Sequence, residues 1–370
     1  MRLFIALLTL IVMIPTLAQD KKQAETEVQN KIEDTVDTVP LWQGKTTEEK
    51  KIALSLNYLS KKISTGAGLR HDSTRYVVPY VLAGLAFISS DQPCYENDIK
   101  SCYAIIKKHT LDLTPVNMIC TLQSWIASFS IIFLSEYVQH VPEDKEAKDF
   151  LQKVIENLIS LQRESGGWGH DKGKTFGYDE FTFPTIYAVF ALGVADKAGA
   201  NVDPLVIKNG LTYIKNAVSY LKTTKGKKTN LATIGYRAPP VENEGGNSMR
   251  NLSALAAYYA TYKNKKATIT FPTNDLKTYL KHMEKKHRDI KYVIPLYAFP
   301  LSCYANKKRS KTYFNAYYKY FSALIDKNRR EDGTFETLKK EDLTWTTSPD
   351  IETSLYVLFM LKFDNLNVFK

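Results

Sequence analysis

From Thr46 onward the chain alternates between two hydrophobic patterns. In the first, apolar residues recur every three or four positions, with lysine or glutamate on the opposite face. Ala147–Gln162 (Phe150, Leu151, Val154, Ile155, Leu158, Ile159) and Val206–Leu221 (Ile207, Leu211, Ile214, Val218) are examples. This spacing predicts amphipathic helices. The second pattern is apolar on every side: Val77–Ile88, Ile119–Val138, Phe183–Ala195, Leu252–Tyr262, Tyr292–Tyr304 and Thr353–Phe363. Most of these segments are rich in alanine or leucine, longer than ordinary strands and without two-residue alternation. They too predict helices, covered on most sides.

Pairing each amphipathic helix with its apolar successor predicts six hairpins, over about 46–90, 95–140, 148–199, 204–263, 274–308 and 311–363. Such recurrence signals a repeat architecture. An open row would leave one apolar face wet, whereas a closed one turns it inward. The expected fold is therefore all-α, an α/α-toroid over residues 46–370 with apolar helices inside and amphipathic ones outside. Pro79, Pro184, Pro295 and Pro349 fall near the starts of apolar helices, where a missing N–H is tolerated.

The first eighteen residues depart from this pattern. Arg2 precedes an apolar run from Leu3 to Ile14, and Pro15 and Thr16-Leu17-Ala18 follow. That arrangement predicts a signal peptide over 1–18 and export to the periplasm or the extracellular space. Residues 19–45 form a polar leader, expected to be flexible; Asp20–Pro40 holds six acids and three lysines. The most apolar later stretch, Ile119–Val138, carries Gln123, four serines and Glu136, so no transmembrane span is expected after cleavage.

Composition changes the picture little. At 370 residues, 44% hydrophobic and 24% charged, the chain is neither disordered nor fibrous, and four cysteines are too few for a disulfide-built scaffold. The net charge is +11, thinly spread, and nucleic acid is not an expected partner. In an oxidising compartment Cys94 and Cys102, eight residues apart, form a candidate disulfide. Cys120 and Cys303 lie in apolar helical patterns as buried thiols. No CxxC, paired Cys/His spacing, Gly-rich phosphate loop, Gly-x-Ser-x-Gly or His-Glu-x-x-His occurs, so no metal or cofactor is expected.

The sharpest local signature is Gln162-Arg163-Glu164-Ser165-Gly166-Gly167-Trp168-Gly169 at the end of an amphipathic helix. The amide of Gln162 can bond backbone at the helix end, the glycines permit a tight turn, and Trp168 can pack flat on neighbouring helices. A worn copy, Asn328-Arg329-Arg330-Glu331-Asp332-Gly333-Thr334-Phe335, reads as Asn328 for the glutamine and Phe335 for the tryptophan. Together these motifs resemble the glutamine–tryptophan repeat of squalene and hopene cyclases, within the terpenoid-cyclase and protein-prenyltransferase superfamily. The resemblance implies an α/α-toroid with a central cavity. The family's reactions carry over less well, because the Asp-x-Asp-Asp acid motif and the Asp–Cys–His zinc site have no recognisable counterpart here.

Candidate chemistry gathers just before or at the starts of the apolar helices, whose N-termini favour anions. Candidate ligand-binding residues are His71, Arg75, Trp168, Tyr178, Arg250 and Trp345. Candidate catalytic groups are His170, Asp171, Asp179, Glu180, Asp350 and Glu352. Two carboxylates across a sugar bond would serve a polysaccharide lyase or glycoside hydrolase, although acids in these places also serve as helix caps. The expected function is a monomeric binding protein whose cavity takes an extended glycan or peptide. A carbohydrate-active enzyme is the alternative, and a terpenoid cyclase-type enzyme comes third.

Overall fold

The computed structural model describes residues 41–69, 77–111, 122–172, 180–222, 228–240, 248–261, 301, 304–305, 307–308, 311–326, 329–334 and 348–367. Trp42–Lys370 forms one compact unit. The expected signal peptide and the expected leader up to residue 40 lie outside the described residues, as do Cys120, Cys303, Pro295 and most of the fifth expected hairpin.

The fold is mostly helical. In chain order come α1 (Thr47–Ser64), α2 (Val77–Ser90), α3 (Glu96–Thr110), α4 (Gln123–His140), α5 (Lys145–Ser160), α6 (Thr182–Lys197) and α7 (Pro204–Asn216). A two-stranded antiparallel hairpin follows, β1 (Val218–Lys222) and β2 (Lys228–Ile234), then α8 (Ser248–Thr261), α9 (Lys311–Asp326) and α10 (Pro349–Met360). The strands correct the sequence reading of one helix over Val206–Leu221. The helix stops at Asn216 because β1 finds a pairing partner in β2, a segment rich in Thr and Ile.

Burial separates the two helix types. All fourteen residues of α2 and fifteen of the eighteen in α4 are buried, against six of eighteen in α1. In α5 the six buried residues, Ala147, Phe150, Leu151, Val154, Ile155 and Leu158, form one stripe. Caps set the starts. Thr46 and Glu49 make a reciprocal capping box on α1, Asp144 caps α5, and Asp203 and Ser348 cap α7 and α10, each with proline next.

The apolar helices lie side by side in the order α10, α2, α4, α6, α8. Packing of the amphipathic helices follows the short connections rather than the expected hairpins. α3 packs chiefly on α2 across residues 91–95, α5 on α4 across 141–144, and α7 on α6 across 198–203. The tight antiparallel unit is thus an apolar helix with the amphipathic helix that follows it. α1 has no described apolar helix before it, and it packs chiefly on α10, at the other end of the chain.

Both thiols of the expected disulfide are free. Cys94 sits in the 3-10 turn Pro93–Tyr95, ahead of α3, while Cys102 is buried within it. Six residues of helix from Glu96 to Cys102 rise about 9 Å, beyond the reach of a disulfide.

The apolar row depends on close approach at glycines. A Cβ on Gly193 of α6 would lie 3.0 Å from the Ala260 carbonyl carbon and 2.9 Å from Thr261 Cγ2 on α8. Gly193→Ala is expected to lower stability by about 1–2 kcal/mol, because the backbone shift it forces outweighs the gain of about 1 kcal/mol in helix propensity. Urea unfolding of the variant, beside an exposed-site control, checks this.

Candidate functional site

Two clusters sit where apolar helices begin. The first is built around the glutamine–tryptophan turn. Gly166 adopts φ +87°, which places the turn against α7, where a Cβ would lie 2.7 Å from the Asn209 carbonyl carbon. Gln162 Nε2 donates to the carbonyls of Gly166 and Val206, both at 3.0 Å, tying the turn to the start of α7. Trp168 is fully buried; its indole N–H donates to the Leu158 carbonyl at 2.8 Å and its backbone N–H to Thr185 Oγ1 at 2.9 Å.

The worn copy repeats this turn in a shifted register. Arg163 N donates to the Gly167 carbonyl and Gly166 N to the Arg163 carbonyl; likewise Arg330 N to Thr334 and Gly333 N to Arg330. Gly333 has φ +84° and docks against α1, where a Cβ would lie 2.7 Å from Ser55 N. Arg329, rather than Asn328, therefore stands where Gln162 stands. Asn328 and Phe335 themselves lie outside the described residues.

From the turn a continuous row of rings runs across three helix starts. Trp125, in the first turn of α4, lies 6.3 Å from the His170 ring centroid, and its indole N–H donates to His170 Nδ1 at 2.9 Å. His170 meets Phe181 edge-on at 4.5 Å, and Phe181 stacks on Tyr236 at 5.1 Å. The Arg250 guanidinium, at the start of α8, lies 5.7 Å from the Tyr236 centroid and 5.9 Å from that of Phe183. Trp125, Phe181 and Arg250 are buried, while His170, Phe183 and Tyr236 are half-buried. The row thus has a fixed floor and partly open rings.

The β-hairpin positions Tyr236. Gly235 N donates to the Ala217 carbonyl at 2.8 Å, Thr182 N to the Tyr236 carbonyl at 2.8 Å, and Arg250 Nη1 to the Ile234 carbonyl at 3.2 Å. Sequence reading missed Phe181 and Tyr236. The first strand of the hairpin that carries Tyr236 into place falls within the helix expected over Val206–Leu221, and Phe181 differs in no local pattern from core phenylalanines.

The second cluster surrounds Asp350, the second residue of α10 and 1% exposed. Its carboxylate accepts from Tyr58 Oη at 2.8 Å and from Lys62 Nζ at 2.8 and 3.1 Å. Burial opposes the Lys62 ammonium, yet its bonds to Asp350 and Tyr58 hold its pKa above the usual lysine value. Burial likewise raises the Tyr58 phenol. Asp350 is therefore no open rim acid and no helix cap; Ser348 caps α10. Tyr58 and Lys62 stand one helical turn apart on α1, a spacing the sequence shows without showing their partner.

Of the other expected groups, Asp171 is buried beside His170, and Arg163 Nη2 donates to its carbonyl at 3.0 Å. Glu180 is half-buried next to Gly167. His71, Arg75, Tyr178, Asp179, Trp345 and the Glu352 side chain lie outside the described residues. Among the described residues no three His, Cys, Asp or Glu side chains converge as a metal site, and no helix is long and apolar enough to cross a membrane.

Residues 59–368 match the family described as a domain of unknown function, DUF6288, and the chain belongs to that family. No curated protein and no solved structure matches the chain.

The Asp350 cluster yields a direct expectation. Asp350→Asn keeps the shape but leaves the Lys62 ammonium without a counter-charge, and should cost about 1–3 kcal/mol. In a double-mutant cycle with Lys62→Met, read by urea unfolding, the pair should couple by about 1 kcal/mol or more. Additive losses would show that the pair does not join α1 to α10.

Proposed function

We propose that this protein is an exported α/α-toroid that binds an extended ligand, a glycan or a peptide, along the ring row at the starts of its apolar helices. The toroid reading is supported by the packing order. Each described amphipathic helix from α3 to α7 packs on the apolar helix before it, and α1 takes the same place on α10. The two turn copies support it as well, since Gly166 docks on α7 as Gly333 docks on α1. The fifth hairpin would fill the place between α8 and α10. Its described end supports this: Tyr304 meets Phe190 of α6 edge-on at 5.2 Å, and Lys307 Nζ donates to Asp364 Oδ1, just past α10, at 2.7 Å.

The observation that carries the binding reading is the run from Trp125 through His170, Phe181 and Tyr236 to Arg250 and Phe183. Half-open aromatic faces beside a fixed guanidinium suit a chain of flat repeating units, and sugar rings stack on such faces. The two-carboxylate alternative has less to draw on, because Asp350 is engaged by Lys62 and Tyr58.

Glycan and peptide arrays probed with the mature chain test the reading, with hits measured by calorimetry. Tyr236→Ala should weaken binding about five- to tenfold, the worth of about 1 kcal/mol for one aromatic contact, at temperatures where the variant is folded. Silence on both arrays, or hits indifferent to Tyr236, would remove the proposal.

A further inference from the structure

Lys197, the last residue of α6, turns its ammonium onto a ring rather than onto an acid. Nζ donates to Tyr304 Oη at 3.0 Å and to the Tyr259 carbonyl of α8 at 3.4 Å, and it lies 5.7 Å from the Tyr304 ring centroid. Tyr304 is 1% exposed, whereas Lys197 is an exposed residue, so the amine sits where a buried ring meets solvent. Lys308 Nζ lies 5.7 Å from the centroid of the same ring. Among the described residues no carboxylate is within ion-pair distance of Lys197. A lysine in the last turn of a helix is ordinarily a solvated charge beside the carbonyls. Here the ring takes water away from the ammonium and a second ammonium stands near it. Both act against the charged form, and both are ways in which a lysine amine becomes a nucleophile toward carbonyl compounds.

We propose that Lys197 is a nucleophilic amine, made so by its seat on Tyr304 and by Lys308, and that it condenses with aldehydes. Aldehydes are the class singled out because the amine is reached from solvent, and theirs is the least hindered carbonyl carbon. The step balances without a further reactant. The Nζ lone pair bonds to the carbonyl carbon, the carbonyl electron pair moves to oxygen, and a proton passes from nitrogen to that oxygen. The carbinolamine then loses water and leaves a C=N bond, so one amine and one aldehyde give one imine and one water. Lys308, in the fifth expected hairpin, opposes the ammonium, while Asp196, beside it on α6, favours it. Tyr304 stays a neutral phenol, because burial raises its pKa. Burial and Lys308 outweigh Asp196 and bring the amine down to about 8. At pH 7.5 about one Lys197 in four is then neutral, against about one in 800 for an ordinary lysine near 10.4. Nucleophilicity falls with basicity and returns part of that gain. The site lies at the end of α6, away from the ring row at its start, and does not rest on the function proposed above.

Propanal with cyanoborohydride, which reduces imines as they form, tests this on the intact mature chain. Peptide mass spectrometry gives the rate at every lysine in one tube, from about pH 6 to about pH 10. At pH 7.5 Lys197 should react at least about fivefold faster than the median lysine. That advantage should shrink as pH rises past about 8, where the neutral fraction of Lys197 saturates and that of the others still grows. Lys308→Gln, at an exposed position, should move this turning point upward and cut the advantage at pH 7.5 by at least about twofold. An advantage below about fivefold in the unaltered chain overturns the proposal. So does one that persists undiminished to pH 10, or one that Lys308→Gln leaves in place. Silent arrays leave this result standing, and an unreactive Lys197 leaves the arrays to be read as before.

Discussion

Every apolar helix in this chain needs cover on several sides, and that cover comes in a fixed order. For each of α2, α4 and α6 the next amphipathic helix folds back on it through a connection of a few residues, so the chain supplies the partner at little cost in entropy. Among the described residues α10 is the exception, since it packs on α1 instead. Its cover comes from α1, nearly three hundred positions away, and no covalent turn holds the two together. Polar bonds take that place: Asp350 to Tyr58 and Lys62, and the Gly333 carbonyl to Ser55 Oγ at 2.7 Å. An apolar contact alone would leave the rotation of α1 on α10 poorly specified. A buried carboxylate with two directional donors admits far fewer arrangements.

The same logic explains why the glutamine–tryptophan turn has the residues it has. Each described copy presents a glycine at positive φ to the backbone of an amphipathic helix, where a side chain would not fit. In the copy after α5 the turn is reinforced by Gln162 and filled by Trp168. In the copy after α9 it keeps the glycine and the two backbone bonds, with Arg329 in place of the glutamine, and Ser55 adds a bond from the helix side. What persists is therefore the geometric requirement, and the polar reinforcement is free to change.

These features differ in how far they can be read from residues. The alternation of amphipathic and all-round apolar segments places the described helices to within a few residues, because burial leaves a period in the sequence. The partner of each amphipathic helix leaves no such trace, and the pairing follows loop length instead. Val218–Lys222 continues the helical spacing of α7, yet it becomes a strand because β2 is there to meet it. Asp350 reads as a capping acid in its first-turn position, and only the arrival of α1 shows otherwise. In the worn motif the pair Arg330-Glu331 matches Arg163-Glu164, a register that becomes plain once the two glycines are superposed on their turns.

The ring row joins fold and site through one geometric fact. Parallel apolar helices begin at the same end, so whatever precedes their first turns is gathered there. Trp125, Phe181, Phe183 and Arg250 come from the starts of three different helices, and Tyr236 enters through the strand pair between α7 and α8. None of them is near the next in sequence except the two phenylalanines. A surface assembled in this way can change its chemistry by substitution at helix starts while the covered faces below stay intact. The aromatic character of this stretch also sets a limit. Helix N-termini favour negative charge, but Arg250, the cation held among these rings in the described residues, already donates to the Ile234 carbonyl and lies near two ring faces. In the proposed binding, recognition along the row would therefore fall chiefly to ring faces, with charge in a supporting part, and would favour partners that offer flat apolar faces at regular intervals.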